Sequence, residues 1–96
     1  MPKGYWVTIY RNIRDPQKLA AYAELAPKAT APFGGVYLAR GTAAHAYEAG
    51  LKERIVISEF PSLEQARAAY ESPAYQEALK ALDDGAERDV RILEGL

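Results

Sequence analysis

Cysteine is absent from these 96 residues, which removes disulfides, thiolate zinc sites and a catalytic thiol from consideration. Histidine is nearly absent as well. His45 stands alone, so a metal site would need Asp and Glu for most of its ligands, and no x-x-H or D-x-D spacing provides them. Neither sign of charge is in excess: 12 Lys and Arg against 13 Asp and Glu leave a net charge of −1. Without a basic face or a polybasic anchor, neither nucleic acid nor a membrane is an expected partner. No run approaches the ~20 apolar residues of a membrane helix. The opening MPKGYWVTIY lacks the basic start, apolar core and cleavage site of an export signal, and the expected location is the cytoplasm.

What is present is ordinary for a globular chain: 49% hydrophobic and 26% charged residues exclude disorder and fibrous classes. Residues 1–96 are expected to form one domain, with a thin core that removes about 60 to 65% of the unfolded surface from water. GYWVTIYR reads as a strand, with Tyr5, Val7 and Ile9 on one side and Trp6, Thr8 and Tyr10 on the other. A helix follows. Asp15 is its N-cap, Pro16 takes the first position, and Leu19, Tyr22, Ala23 and Ala26 form its buried stripe. Pro27 is expected to kink or interrupt it, and Gly34 or Gly35 to end it with positive φ. GVYLAR is a second strand, GTAAHAYEAGLKE a long exposed connection, and RIVISEF a third strand. In PSLEQ, Ser62 and Gln65 have the spacing of a capping box. Ser62 is therefore read as a cap and not as a nucleophile, since no histidine is near and no G-x-S-x-G turn is present. SPAYQ restarts that second helix at Ser72 and Pro73, Gly85 closes it, and ERDVRILEG is the last strand, its charges suited to an edge.

The order β-α-β-β-α-β, with right-handed connections, points to an α+β ferredoxin-like fold. Its four-stranded antiparallel sheet has order 4-1-3-2 and carries the helices on one face. The first and third strands are apolar on both sides, however, and two helices cover only one. Several hundred Å² would be left in water. A second copy facing the first across a twofold axis is the simplest cover, so a homodimer is expected.

GYW near the start, FGGVYLARG, ERIVISEFPS, SPAYQ and the closing ERDVRILEG together resemble the family of unknown function numbered 1330, over nearly the whole chain. The resemblance implies a ferredoxin-like subunit forming a dimeric α/β barrel. It implies no reaction, because the wider superfamily spans cofactor-free monooxygenases, isomerases and haem-handling enzymes. Val36 stands where many relatives carry Arg after the paired glycines, and Asp83 where they carry a basic residue, so no ligand-holding role is carried over to either position.

In strand order 4-1-3-2, Arg11, Arg40, Arg54 and Asp89 share one rim of the sheet, which also receives the loop bearing His45. Two guanidinium groups and an imidazole there can hold a carboxylate or enolate, with Arg40 and Arg54 as ligand-binding residues and His45 as general base. The alternative is that Arg40 and Arg54 pair with Glu53, Glu87 or Asp89 and that His45 is solvated. Glu59 lies about 16 Å from Arg54 along the strand, toward the opposite rim. It is either a proton-transfer group of raised pKa or a carboxylate hydrogen-bonded to a nearby backbone group or tyrosine. Tyr75, with Tyr5, Trp6 and Tyr10, either walls a small-molecule cleft or packs the core and dimer. Two functions remain: a cofactor-free enzyme or binder acting on a small anionic or carbonyl-containing molecule, or a non-catalytic dimeric structural or protein-interaction module. A cavity of ~300 Å³ or more into which His45, Arg40 or Glu59 points favours the first, and a space filled by side chains favours the second.

Overall fold

The computed structural model describes residues 2–96. Its elements are β1 (Gly4–Ile13), α1 (Pro16–Thr30), a 3₁₀ turn (Ala31–Phe33), β2 (Val36–Thr42), β3 (Arg54–Phe60), α2 (Leu63–Glu71), α3 (Pro73–Leu82) and β4 (Ala86–Glu94). The strands form one antiparallel sheet in the order β2-β3-β1-β4, the expected 4-1-3-2 order read from the other edge. The Cα extents of 35 × 31 × 15 Å are those of a two-layer slab, one sheet under one layer of helices.

Alternation along β1 decides what each face becomes. Trp6, Thr8 and Tyr10 are buried against the helices, while Tyr5, Val7 and Ile9 are half-buried on the outer face. The register carries this division across the sheet. Trp6 and Thr8 lie opposite Ser58 and Val56, whereas Tyr5, Val7 and Ile9 lie opposite Glu59, Ile57 and Ile55. Trp6, Phe60, Ala66, Ala69, Tyr75 and Ala78 are the centre of the core. The small alanines let α2 and α3 approach closely, and the aromatic rings fill what remains. Gly4 makes one such approach possible, since a Cβ there would stand 2.4 Å from the Ser62 carbonyl oxygen.

Helix punctuation follows the side-chain chemistry. Asp15 Oδ1 accepts from the N–H groups of Gln17 and Lys18 at 2.9 and 3.2 Å, and Ser62 Oγ accepts from Gln65 N–H at 3.2 Å. Ser72 serves two helices. Its hydroxyl donates to Ala69 O at 2.8 Å, closing α2, and accepts from Tyr75 N–H at 3.2 Å, opening α3.

One expectation of backbone geometry is corrected. Pro27 does not interrupt α1, which runs on to Thr30. One N–H is lost there, but the Pro27 carbonyl still accepts from Ala31 N–H, and burial of Ala26 and Ala29 on either side offsets a single missing hydrogen bond. The chain then tightens and ends at Gly34, φ 82°. At the end of α3, Gly85 closes the turn as expected, donating to Leu82 O at 2.7 Å, while Asp83 takes a positive φ, at 51°. Lys18 Nζ holds this turn through Asp83 at 2.8 Å and Asp84 at 2.6 Å, holding the pKa of Asp84 below its usual value.

Candidate functional site

α1 packs chiefly on α3 and spans the β2–β3 side of the sheet, leaving a pocket between helix and strands. Its floor comes from the helix-facing positions of all four strands, including Trp6, Thr8, Arg54 and Arg88, and its roof is Leu19, Ala23, Ala26, Pro27 and Thr30 of α1. Arg40 and Tyr37 complete the wall on β2. A register shift between Tyr37 and Ala39 is what brings them together. In regular alternation residues three apart point to opposite faces, but the bulge at Leu38 turns both inward, and the Arg40 guanidinium stacks over the Tyr37 ring at 4.5 Å.

The electrostatics are one-sided. Arg40, Arg54 and Arg88 all line the pocket, and no Asp, Glu, His or Lys does. None of the three guanidinium groups is in a salt bridge with a described residue, whereas Asp89 and Glu87 pair with Arg91 and Arg14. Arg88 instead donates to phenols, from Nη1 to Tyr22 Oη at 3.0 Å and from Nη2 to Tyr75 Oη at 3.3 Å. Burial works against its charge, but the two phenol oxygens outweigh that and hold its pKa above the usual arginine value. Arg88 and Arg54 flank the Tyr10 ring, at 5.6 and 6.0 Å from its centroid. Arg54 Nε and Trp6 Nε1 are buried donors with no acceptor among the described residues. The enclosed space is about 40 Å³. At roughly 10 to 15 Å³ per water-sized centre, that admits a head group of a few atoms and falls short of the ~300 Å³ expected of a small-molecule cavity, an expectation the largely side-chain-filled space does not meet.

Of the residues singled out in the sequence, Arg40, Arg54 and Tyr75 line this pocket. His45 does not; it is exposed on the connection between β2 and β3. Glu59 is on the outer face of the sheet, where it accepts from Tyr5 Oη at 3.1 Å and meets Lys3 Nζ at 3.7 Å. That contact raises the pKa of Tyr5. The rim cluster is divided: Asp89 lies opposite Ile9 on the outer face, and Arg11 is exposed at the β1 bulge.

A family model described as Domain of unknown function (DUF1330) matches residues 3–96. The chain belongs to this family. The DUF1330 chain is similar in fold to a protein of unknown function from Rhodopseudomonas palustris, with a TM-score of 0.77 at 18% identity, covering 99% of this chain and 83% of that one. It is also similar to SnoaB from Streptomyces nogalater, a cofactor-independent oxygenase, with a TM-score of 0.65 at 11% identity and coverage of 97% and 92%. A dimeric ferredoxin-like protein of unknown function from Thermobifida fusca gives 0.62 at 14% identity, covering 97% and 91%. These likenesses establish the ferredoxin-like fold. No curated protein matches the sequence.

Two residues that line this pocket were not singled out from the sequence as pocket residues: Arg88 and Tyr22. For Arg88 the signal was available, since it is in phase with Val90 and Ile92, the helix-facing residues of β4. Tyr22 was visible as part of a helical stripe, but its hydroxyl acquires meaning only beside Tyr75, 53 residues away.

Proposed function

We propose that this protein binds a small oxyanion, a carboxylate or an enolate-like group, in the pocket between α1 and the sheet, with Arg40, Arg54 and Tyr75 among the groups that hold it. The observation that carries the reading is the convergence of Arg40, Arg54 and Arg88 on a partly apolar pocket that no acidic side chain lines. Arg54 and Arg88 are half-buried and Arg40 is exposed; half-buried charge without an acidic partner is costly, and a bound anion removes that cost and gains charge-assisted hydrogen bonds. The chemistry supported is anion binding and electrostatic stabilisation of developing negative charge. Within one subunit, His45 and Glu59 are assigned no part in it, because neither reaches the pocket. An enclosed volume of about 40 Å³ suits the head of the ligand, with any larger remainder passing out beside exposed Arg40 and Tyr37.

In this reading the protein acts as a homodimer closed through the outer face of the sheet. Tyr5, Val7, Ile57, Leu93 and Leu96 line an open apolar hollow there, with no helix above it. Fold relatives from Thermobifida fusca and Bacteroides fragilis are described as dimeric.

Thermal unfolding in the presence of short carboxylates tests anion binding. The Tm rises with concentration, since a ligand at 100 times its Kd adds about 2.7 kcal/mol. Arg54→Met weakens binding by about tenfold or more and leaves the unliganded protein as stable as before or more so, because an unpaired charge has been removed. A Tm indifferent to every carboxylate rejects the reading.

A further inference from the structure

The donors and acceptors around Tyr22 and Tyr75 can be counted, and the count leaves a remainder. Their hydroxyl oxygens are 2.6 Å apart, so one phenol donates its proton to the other. Each oxygen also accepts from Arg88. Arginine has no acceptor, so neither phenol proton can be given to it. Of the two protons, one is used between the tyrosines and the second has no acceptor among the described residues. Both tyrosines line the pocket.

We propose that this second phenol proton is donated to the ligand, with Arg88 as the residue that turns it outward, and that the pocket thereby selects an acceptor-only head group, a carboxylate or enolate oxygen, over an isosteric amide. The inference rests on the anion-binding reading above and sharpens it. Arg54 Nε and Trp6 Nε1 are two further buried donors with no acceptor among the described residues, and both side chains line the same pocket. An amide matches a carboxylate in shape but offers one acceptor oxygen in place of two, so at least one of these donors is left unpaired, and its N–H groups find side-chain acceptors only in lining hydroxyls such as those of Thr8, Thr30 and Ser58. Burial, and next to it the neighbouring Tyr22, push the Tyr75 phenol well above the ordinary tyrosine range despite the opposing effect of Arg88. The hydroxyl therefore keeps its proton at neutral pH. Arg88 is a positioning residue here: by occupying one lone pair on each oxygen, it forces the free O–H away from itself.

The test uses the intact protein, the fluorescence of Trp6, which is the chain's one tryptophan, and sodium acetate and acetamide as probes at constant ionic strength. Wild-type protein is expected to bind acetate at least about tenfold more tightly than acetamide, the worth of one hydrogen bond to a charged group. Tyr22→Phe stays within about threefold of wild type for acetate, because Tyr75 still accepts from Arg88 and still has a proton to give. The double variant Tyr22→Phe with Tyr75→Phe loses about tenfold. Acetate binding by the double variant at wild-type strength overturns the proposal, as does equal affinity for acetate and acetamide or a tenfold loss in Tyr22→Phe, and all three leave anion binding itself standing. Should the double variant fail to fold by circular dichroism, Tyr22→Phe and the acetamide comparison decide. If about 100 mM acetate, a concentration that reveals even very weak binding, leaves wild-type fluorescence unchanged, the anion-binding reading falls and this inference falls with it.

Discussion

The two faces of the sheet are made by the same four strands and treat charge in opposite ways. On the outer face, which no helix covers, charges are paired: Arg91 with Asp89 through two contacts of 3.0 Å, and Lys3 with Glu59 at 3.7 Å, around a field of Val, Ile, Leu and Tyr. On the helix-covered face, Arg40, Arg54 and Arg88 have no acidic partner among the described residues. A sheet designed only for stability would do the reverse, burying the apolar face and leaving lone charges to water. The inversion teaches that the helix layer covers two different things. At the Trp6–Phe60 end it covers a packed core, and at the Tyr10–Arg54 end it covers a cationic recess.

The contrast can be broken at three points. The largest effect is expected at the packed end of the inner face. Phe60 is 1% exposed and stacks against Trp6 with ring centroids 6.0 Å apart, so Phe60→Ala costs about 3 to 5 kcal/mol in urea unfolding; a loss below 1 kcal/mol would mean this end is no better packed than the recess. The outer face comes next. Ile57→Asp puts an unpaired charge at the centre of the apolar field and weakens self-association by about 3 kcal/mol, more than a hundredfold in Kd. Sedimentation velocity should show the variant at the 10.6 kDa mass of one chain where the wild type shows twice that, and a wild type that sediments as a single chain removes the need for a cover. The smallest effect belongs to the turn outside both faces. Asp83 holds φ at 51°, so Asp83→Gly relieves strain of about 1 kcal/mol. The exposed contact with Lys18 that it loses is worth less, and Tm should rise slightly.

The fold was legible because its boundaries are written in residues with a single conformational meaning: Asp15 before Pro16, Ser62 ahead of α2, Ser72 before Pro73, and Gly34 at the end of the 3₁₀ turn. The order of elements then leaves few topologies. A misplacement arose where a local rule met a stronger tertiary term, at Pro27, whose neighbours Ala26 and Ala29 are held in the core. The site was half legible. Arg40 and Arg54 follow from strand order, but Arg88 and Asp89 were both assigned to a charged edge, although consecutive residues of a strand face opposite sides and only one of them could meet the arginines. His45 was never placeable, since the segment around it has no period from which a direction could be read.

The division between a roof of Leu19, Ala23, Ala26, Pro27 and Thr30 and a floor of strand arginines bears on how such a pocket changes over generations. Headroom is governed by one helix and charge by the sheet, so the two properties vary through separate substitutions. Small residues overhead can be enlarged or trimmed to admit a different tail, while the guanidinium groups beneath continue to grip the same kind of head.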